Sequence, residues 1–164
     1  MKTVSRKKII YTFARKHRPV ACVQPGELVM LETEDAFGGQ IKTEKDSVQK
    51  LEWGKVDGAT GPVFVEGAEP GDTLVVEIVD VSVSSKGVIA TVPKHGVLAD
   101  KNFKSSTKMI KIVKDHADFG GVKLSIKPMI GTIGVTPAEG EMPCGSLGRH
   151  GGNMDDKEIG VGNN

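Results

Sequence analysis

Leu74-Val75-Val76-Glu77-Ile78-Val79-Asp80-Val81-Ser82-Val83 reads as a run of β-branched side chains that gives way to strict alternation from Asp80 to Ser84. Branching at Cβ stiffens χ1 and suits a pleated surface, and a period of two is the mark of a strand. The run predicts a strand over 74–83. Just before it, Pro70-Gly71-Asp72 suits a tight turn, since proline presets one dihedral and glycine takes a positive one.

The same grammar extends outward in both directions. Upstream lie Val63-Phe64-Val65 and, after Pro25-Gly26, the run Leu28 to Thr33, which leads into Glu34-Asp35-Ala36-Phe37-Gly38-Gly39-Gln40. Downstream lie Gly87–Val92, Met109–Val113, Val122–Ile126 and Met129–Val135. With 21 Gly and 8 Pro spread along the chain, few windows can hold a helix of three turns. One helix candidate stands at residues 42–54, polar on one side, with Val48, Leu51 and Trp53 turned inward. The fold class is therefore mostly β, many short strands joined by turns, with at most one or two short helices. No repeat or linker divides residues 1–164, which read as a single domain.

Bulk properties exclude several functions. The formal charge is +1, from 22 Lys and Arg against 21 Asp and Glu, so no net field gathers a polyanion and nucleic acid is not an expected partner. The basic cluster from Lys2 to Arg18 reads as a solvated edge strand or terminus. No stretch approaches the roughly 18 apolar residues of a membrane span, and no apolar leader precedes the first strand, so a cytoplasmic address with no membrane partner is expected. Cys22 and Cys144 stand far apart, which is no disulfide framework.

Chemistry is sought among four histidines. His17 sits in the basic run Arg15-Lys16-His17-Arg18; His95 and His116 sit in segments that read equally as solvated turns. His150 differs, because Gly148-Arg149-His150-Gly151-Gly152-Asn153-Met154-Asp155-Asp156 gathers an imidazole, an amide and two carboxylates where glycines let backbone approach a ligand. Such nitrogen and oxygen donors suit zinc or a similar ion, although the His-to-Asp spacing is not diagnostic, and a Gly-rich turn capped by Asn and Asp is the alternative. From Pro137 onward the tail is a long Gly-dense loop, functional or disordered. A phosphate cradle there would need a strand before and a helix after, and neither is evident. Cys144 as a nucleophile lacks a thiolate-stabilising helix N-terminus.

Four blocks in order carry a resemblance: Asp35-Ala36-Phe37-Gly38-Gly39-Gln40-Ile41, Gly61 to Asp72, Pro128 to Val135, and His150-Gly151-Gly152-Asn153-Met154-Asp155. From about Leu28 to its last residue the chain resembles the acetamidase/formamidase family. The resemblance implies a jelly-roll-like β-sandwich or barrel. It also implies hydrolysis of small linear amides, formamide or acetamide, to acid and ammonia. Family members are about double this length, so it further implies a complementary C-terminal half that completes the site, or a homodimer. In the mechanism so implied, a divalent metal, zinc, is held by Asp35, His150 and Asp155 and polarises both water and the amide. Asn153, Gly151 and Gly152 orient the substrate, and Glu139 or a carboxylate of the other half moves the proton. Asp35 reads equally as the cap of a turn. The competing function is a catalytically silent β module that associates through exposed strand edges.

Overall fold

The computed structural model describes residues 1–162. Its strands are β1 (Lys2–Val4), β2 (Ile9–Ile10), β3 (Thr12–Ala14), β4 (Ala21–Val23) and β5 (Val29–Leu31), then β6 (Ala59–Thr60) and β7 (Val63–Val65). The second part of the chain adds β8 (Lys86–Thr91), β9 (Ser106–Val113), β10 (His116–Phe119), β11 (Val122–Ser125), β12 (Thr132–Gly134), β13 (Glu141–Pro143) and β14 (Gly151–Asn153). The protein is mostly β, as its composition predicts, and the described strands close no barrel. Among the described residues no helix is long and apolar enough to cross a membrane.

Strands β8 to β11 form an antiparallel meander in the order β11-β10-β9-β8. The β10–β11 turn shows why local sequence suffices here. Phe119 pairs with Val122, so the loop is Gly120-Gly121, both with positive φ (63° and 89°). That is the twist a two-residue hairpin demands, and glycine adopts it without a Cβ clash. Asp118 Oδ1 accepts the Gly121 N–H at 2.9 Å and fixes the turn.

The other ladders join residues distant in sequence. β1 runs parallel to β5 and β4 parallel to β7, while β2 pairs with β6, β3 with β13 and β12 with β14, all antiparallel. Val4, Phe13, Ala14, Val23, Ile41, Val48, Ile110 and Cys144 are the buried apolar residues, and His150 is buried among them at 6% exposure. The β3–β13 ladder brings Phe13 opposite Met142, and Phe13 in turn meets the His150 ring edge-on, centroids 5.2 Å apart. The tail expected to be a loop thus supplies two short strands, one of them carrying Asn153.

Three expectations need correction. The run 74–83 joins no ladder: residues 73–83 belong to no strand, and Leu74, Val75, Val76, Val79 and Val83 are exposed. β propensity is realised only against a neighbouring strand, and none of the described residues provides one. The helix expected at 42–54 is replaced by two single 3-10 turns, Val48–Lys50 and Trp53–Lys55, because Gln40 takes over the backbone between them. Its side chain accepts from the Glu52 N–H at 2.9 Å and donates to the Phe37 carbonyl. Val48 does turn inward and is fully buried, whereas Trp53 faces outward at 54% exposure.

Candidate active site

Residue by residue, the Gly-rich segment divides into a packed part and an accessible part. His150 belongs to the first. Gly148 and Gly152 pack so closely on it that an added Cβ would stand 2.8 Å from Nδ1 and 3.1 Å from Nε2 respectively. Nε2 is buried without a hydrogen-bond partner. Gly151 and Gly148 exchange two backbone hydrogen bonds, at 3.0 and 2.9 Å, so the Gly151 N–H is already committed within the loop. Gly152, φ 96°, passes the Ser146 carbonyl so closely that only glycine fits there.

Asn153 and Asp155 form the accessible part. With its amide nitrogen turned toward the acid, Asn153 donates to both Asp155 oxygens at 3.1 and 3.2 Å. Asp155 is exposed and holds a left-handed backbone at φ 47°, anchored by its N–H on the Gly131 carbonyl at 3.1 Å. Gly131 leaves the room: a Cβ there would meet the Asp155 carboxylate at 2.8 Å.

Sequence reasoning missed the second carboxylate, Asp57. It follows the turn Trp53–Lys55, takes φ 55°, and donates its N–H to the Ala36 carbonyl at 2.8 Å. Partial burial raises its pKa, and the Asp155 charge raises it further, so the two acids share one electrostatic environment. Gly145 borders Asp57, its absent Cβ 3.1 Å from Oδ2. The signal in the sequence was the dipeptide Asp57-Gly58, an Asx-Gly pair of the kind that tolerates a left-handed conformation. Left-handed non-glycine backbone and a raised carboxyl pKa at one place single out Asp57 as a candidate.

The remaining candidates lie apart. Asp35 is exposed and caps a turn, Oδ1 accepting from the Phe37 N–H at 2.7 Å and the Gly39 N–H at 3.4 Å. Glu139 is exposed in the bend at 138–140. Glu141 bonds Lys16, which holds its carboxyl below the usual range. Cys144 is fully buried, its thiol pushed up to about 11 by desolvation, so it is no nucleophile. His17 hydrogen-bonds Thr12 at 2.9 Å, and His116 bonds Asp115 at 2.6 Å. His95 borders a groove of about 580 Å³ with Val48, Trp53 and Val92. Among the described residues no three His, Cys, Asp or Glu converge as a ligand set, so Asp35, His150 and Asp155 do not form one. These residues do not by themselves fit a resident cation.

A short-stranded β scaffold presenting two electrostatically linked carboxylates beside glycine-lined backbone is the class this geometry defines. The chain belongs to the Acetamidase/Formamidase family, whose model matches residues 6–144. It is 35% identical over 99 residues to a formamidase of Methylophilus methylotrophus, a match covering 56% of this chain and 24% of that protein. Among solved structures it superposes on an acetamidase from Bacillus halodurans with a TM-score of 0.95 and 36% identity, covering 98% of this chain and 55% of that one. A predicted acetamidase/formamidase from Thermoanaerobacter tengcongensis gives 0.94 and 40%, covering 98% of this chain and 54% of its own. A γ-lactamase from Delftia acidovorans, at 21% identity and a TM-score of 0.81, shares the fold. The chain spans about half the length of these solved relatives and a quarter or less of the curated one.

Proposed function

We propose that this chain is part of a carbon–nitrogen hydrolase that converts small linear amides, formamide and acetamide, to the carboxylic acid and ammonia. Family membership supports the reaction class, and the observation that carries the reading is the Asp57–Asp155 pair. Two nearby carboxyls, one of them with a raised pKa, supply an acid and a base in one place. Asp155, oriented by Asn153, takes a proton from water as its oxygen adds to the amide carbon. Asp57 then delivers its proton to the leaving nitrogen as the carbon–nitrogen bond breaks. Ammonia departs, and the proton held by Asp155 passes to Asp57 through water, which restores the starting state.

His150 and Glu139 keep places in the proposal as supporting groups. The imidazole lies behind Gly152, and Glu139 is an exposed carboxylate in the bend at 138–140. Zinc, or another divalent ion, enters only with donors from outside residues 1–162, and no step is routed through it. The test is ammonia release from formamide and acetamide, by this chain alone and together with the portion of a solved relative that it does not cover. Silence of both preparations, with the two polypeptides shown to associate, would refute the reading. In that event the alternative stands, a β module without catalysis; the exposed apolar run at 74–83 favours it.

A further inference from the structure

The residues from Thr73 to Val83 neither donate nor accept a hydrogen bond within the described residues. None of them has a positive φ, so the backbone is free to enter a ladder. An unpaired stretch of this length with Leu74 at 50%, Val75 at 68% and Val79 at 59% exposure is what a strand looks like without its neighbour. Its pattern is also specific. From Leu74 to Val79 apolar side chains fall on both faces, interrupted only by Glu77, which is the composition of a strand covered on both sides. From Asp80 the alternation marks one solvated face. The same run leads directly into β8, whose outer edge is unpaired. Residues 80–85 border a groove of about 530 Å³ with Ile112, Ile126 and Pro128.

We propose that Thr73–Val83 is a docking strand for a polypeptide equivalent to the portion of the solved relatives that these 164 residues do not cover. The partner's strand pairs with the backbone of 73–83, and its apolar side chains cover Val75, Val79 and Val83. Two observations select this occupant. The Bacillus halodurans acetamidase carries the same scaffold, at a TM-score of 0.95, together with a comparable length of further chain. A second copy of this chain fits poorly: antiparallel self-pairing over the whole run 74–83 sets Glu77 opposite Asp80 of the other copy, twice, with like charges facing. The proposal rests on the family reading but not on catalysis.

Hydrogen exchange on this chain, alone and mixed with the uncovered portion of the Bacillus halodurans acetamidase, tests it. The backbone N–H groups of residues 73–83 are expected to exchange freely in the chain alone and to slow at least a hundredfold in the complex. Val76→Pro removes an N–H that bonds nothing at present, so it is expected to leave the melting temperature of the isolated chain unchanged and to weaken association at least tenfold. Three results would overturn the proposal: association without protection of 73–83, protection in the chain alone that grows with its concentration, or a lowered melting temperature for isolated Val76→Pro. Protection on association without ammonia release supports the docking strand while refuting the proposed activity, so the two readings fail separately.

Discussion

Asp57 and Asp155, far apart in sequence and both with a left-handed backbone, stand close enough that the charge on one helps to keep a proton on the other. Burial is the larger cause of the raised Asp57 pKa and Asp155 the second.

This relationship fixes the sign of a pH effect. A carboxyl whose folded pKa lies above its unfolded value binds more protons when folded, so its contribution to stability is present below the ordinary value of 3.8 and is lost as pH rises through the folded pKa. Asp57→Asn keeps the left-handed conformation accessible and removes the charge. It is expected to raise the melting temperature at pH 7, with the gain shrinking toward pH 3. A gain independent of pH would show that Asp57 has the same pKa in the folded and unfolded chain.

For catalysis the same pair predicts a loss in the assembled protein. Asp57→Asn and Asp155→Asn are each expected to lower ammonia release by roughly 10²- to 10⁴-fold, the usual worth of general acid–base catalysis. The double variant should lose little more than either single one, because the two groups act as a unit. Additive losses would assign them independent roles.

At His150 the buried, unpartnered Nε2 is an energetic burden of about 1–3 kcal/mol. His150→Leu, of similar volume, should therefore stay within about 1 kcal/mol of the parent in urea denaturation. A drop beyond about 3 kcal/mol would mean that the imidazole is bonded in solution.

Gly152 and Gly67 form a matched pair, both with positive φ, at 96° and 77°. A Cβ on Gly67 meets nothing within 4 Å, whereas on Gly152 it strikes the Ser146 carbonyl. Gly67→Ala should cost about 1–2 kcal/mol from backbone strain alone. Gly152→Ala should cost at least about 3 kcal/mol, since the carbonyl must also move. Equal losses in chemical denaturation would contradict the packing around His150.

Thiol labelling offers a simple check on burial. At pH 8 one thiol per native chain, the exposed Cys22, should react with a maleimide, and two should react after denaturation. Cys22 will react slowly, because its Sγ donates to Glu66 Oε1 at 3.0 Å and that bond raises its pKa.

What the sequence revealed depended on the range of the interaction. Val63–Val65, Gly87–Val92 and Val122–Ile126 were legible as strands because their own side chains carry the pattern, and Pro70-Gly71-Asp72 was legible as a turn, closed by the Asp72 N–H on the Glu69 carbonyl at 3.1 Å. β6 and β13 were not, since Ala59-Thr60 and Glu141-Met142-Pro143 carry no apolar β-branched run and pair only with distant partners. Of the candidate site, Asn153 and Asp155 stand in the Gly-rich block, whereas Asp57 was invisible because its role comes from Asp155, far outside any motif window. The β-branched run at 74–83 misled in the opposite sense: it reports a preference that the described residues leave unmet.

The ladder between Thr12–Ala14 and Glu141–Pro143 carries a consequence for biosynthesis. Phe13 and Ala14 leave the ribosome before the meander of β8 to β11, yet the strand they pair with is made only after it. His150, which rests on Phe13, comes later still, so the interior around it can close only once the whole hairpin meander has been synthesised.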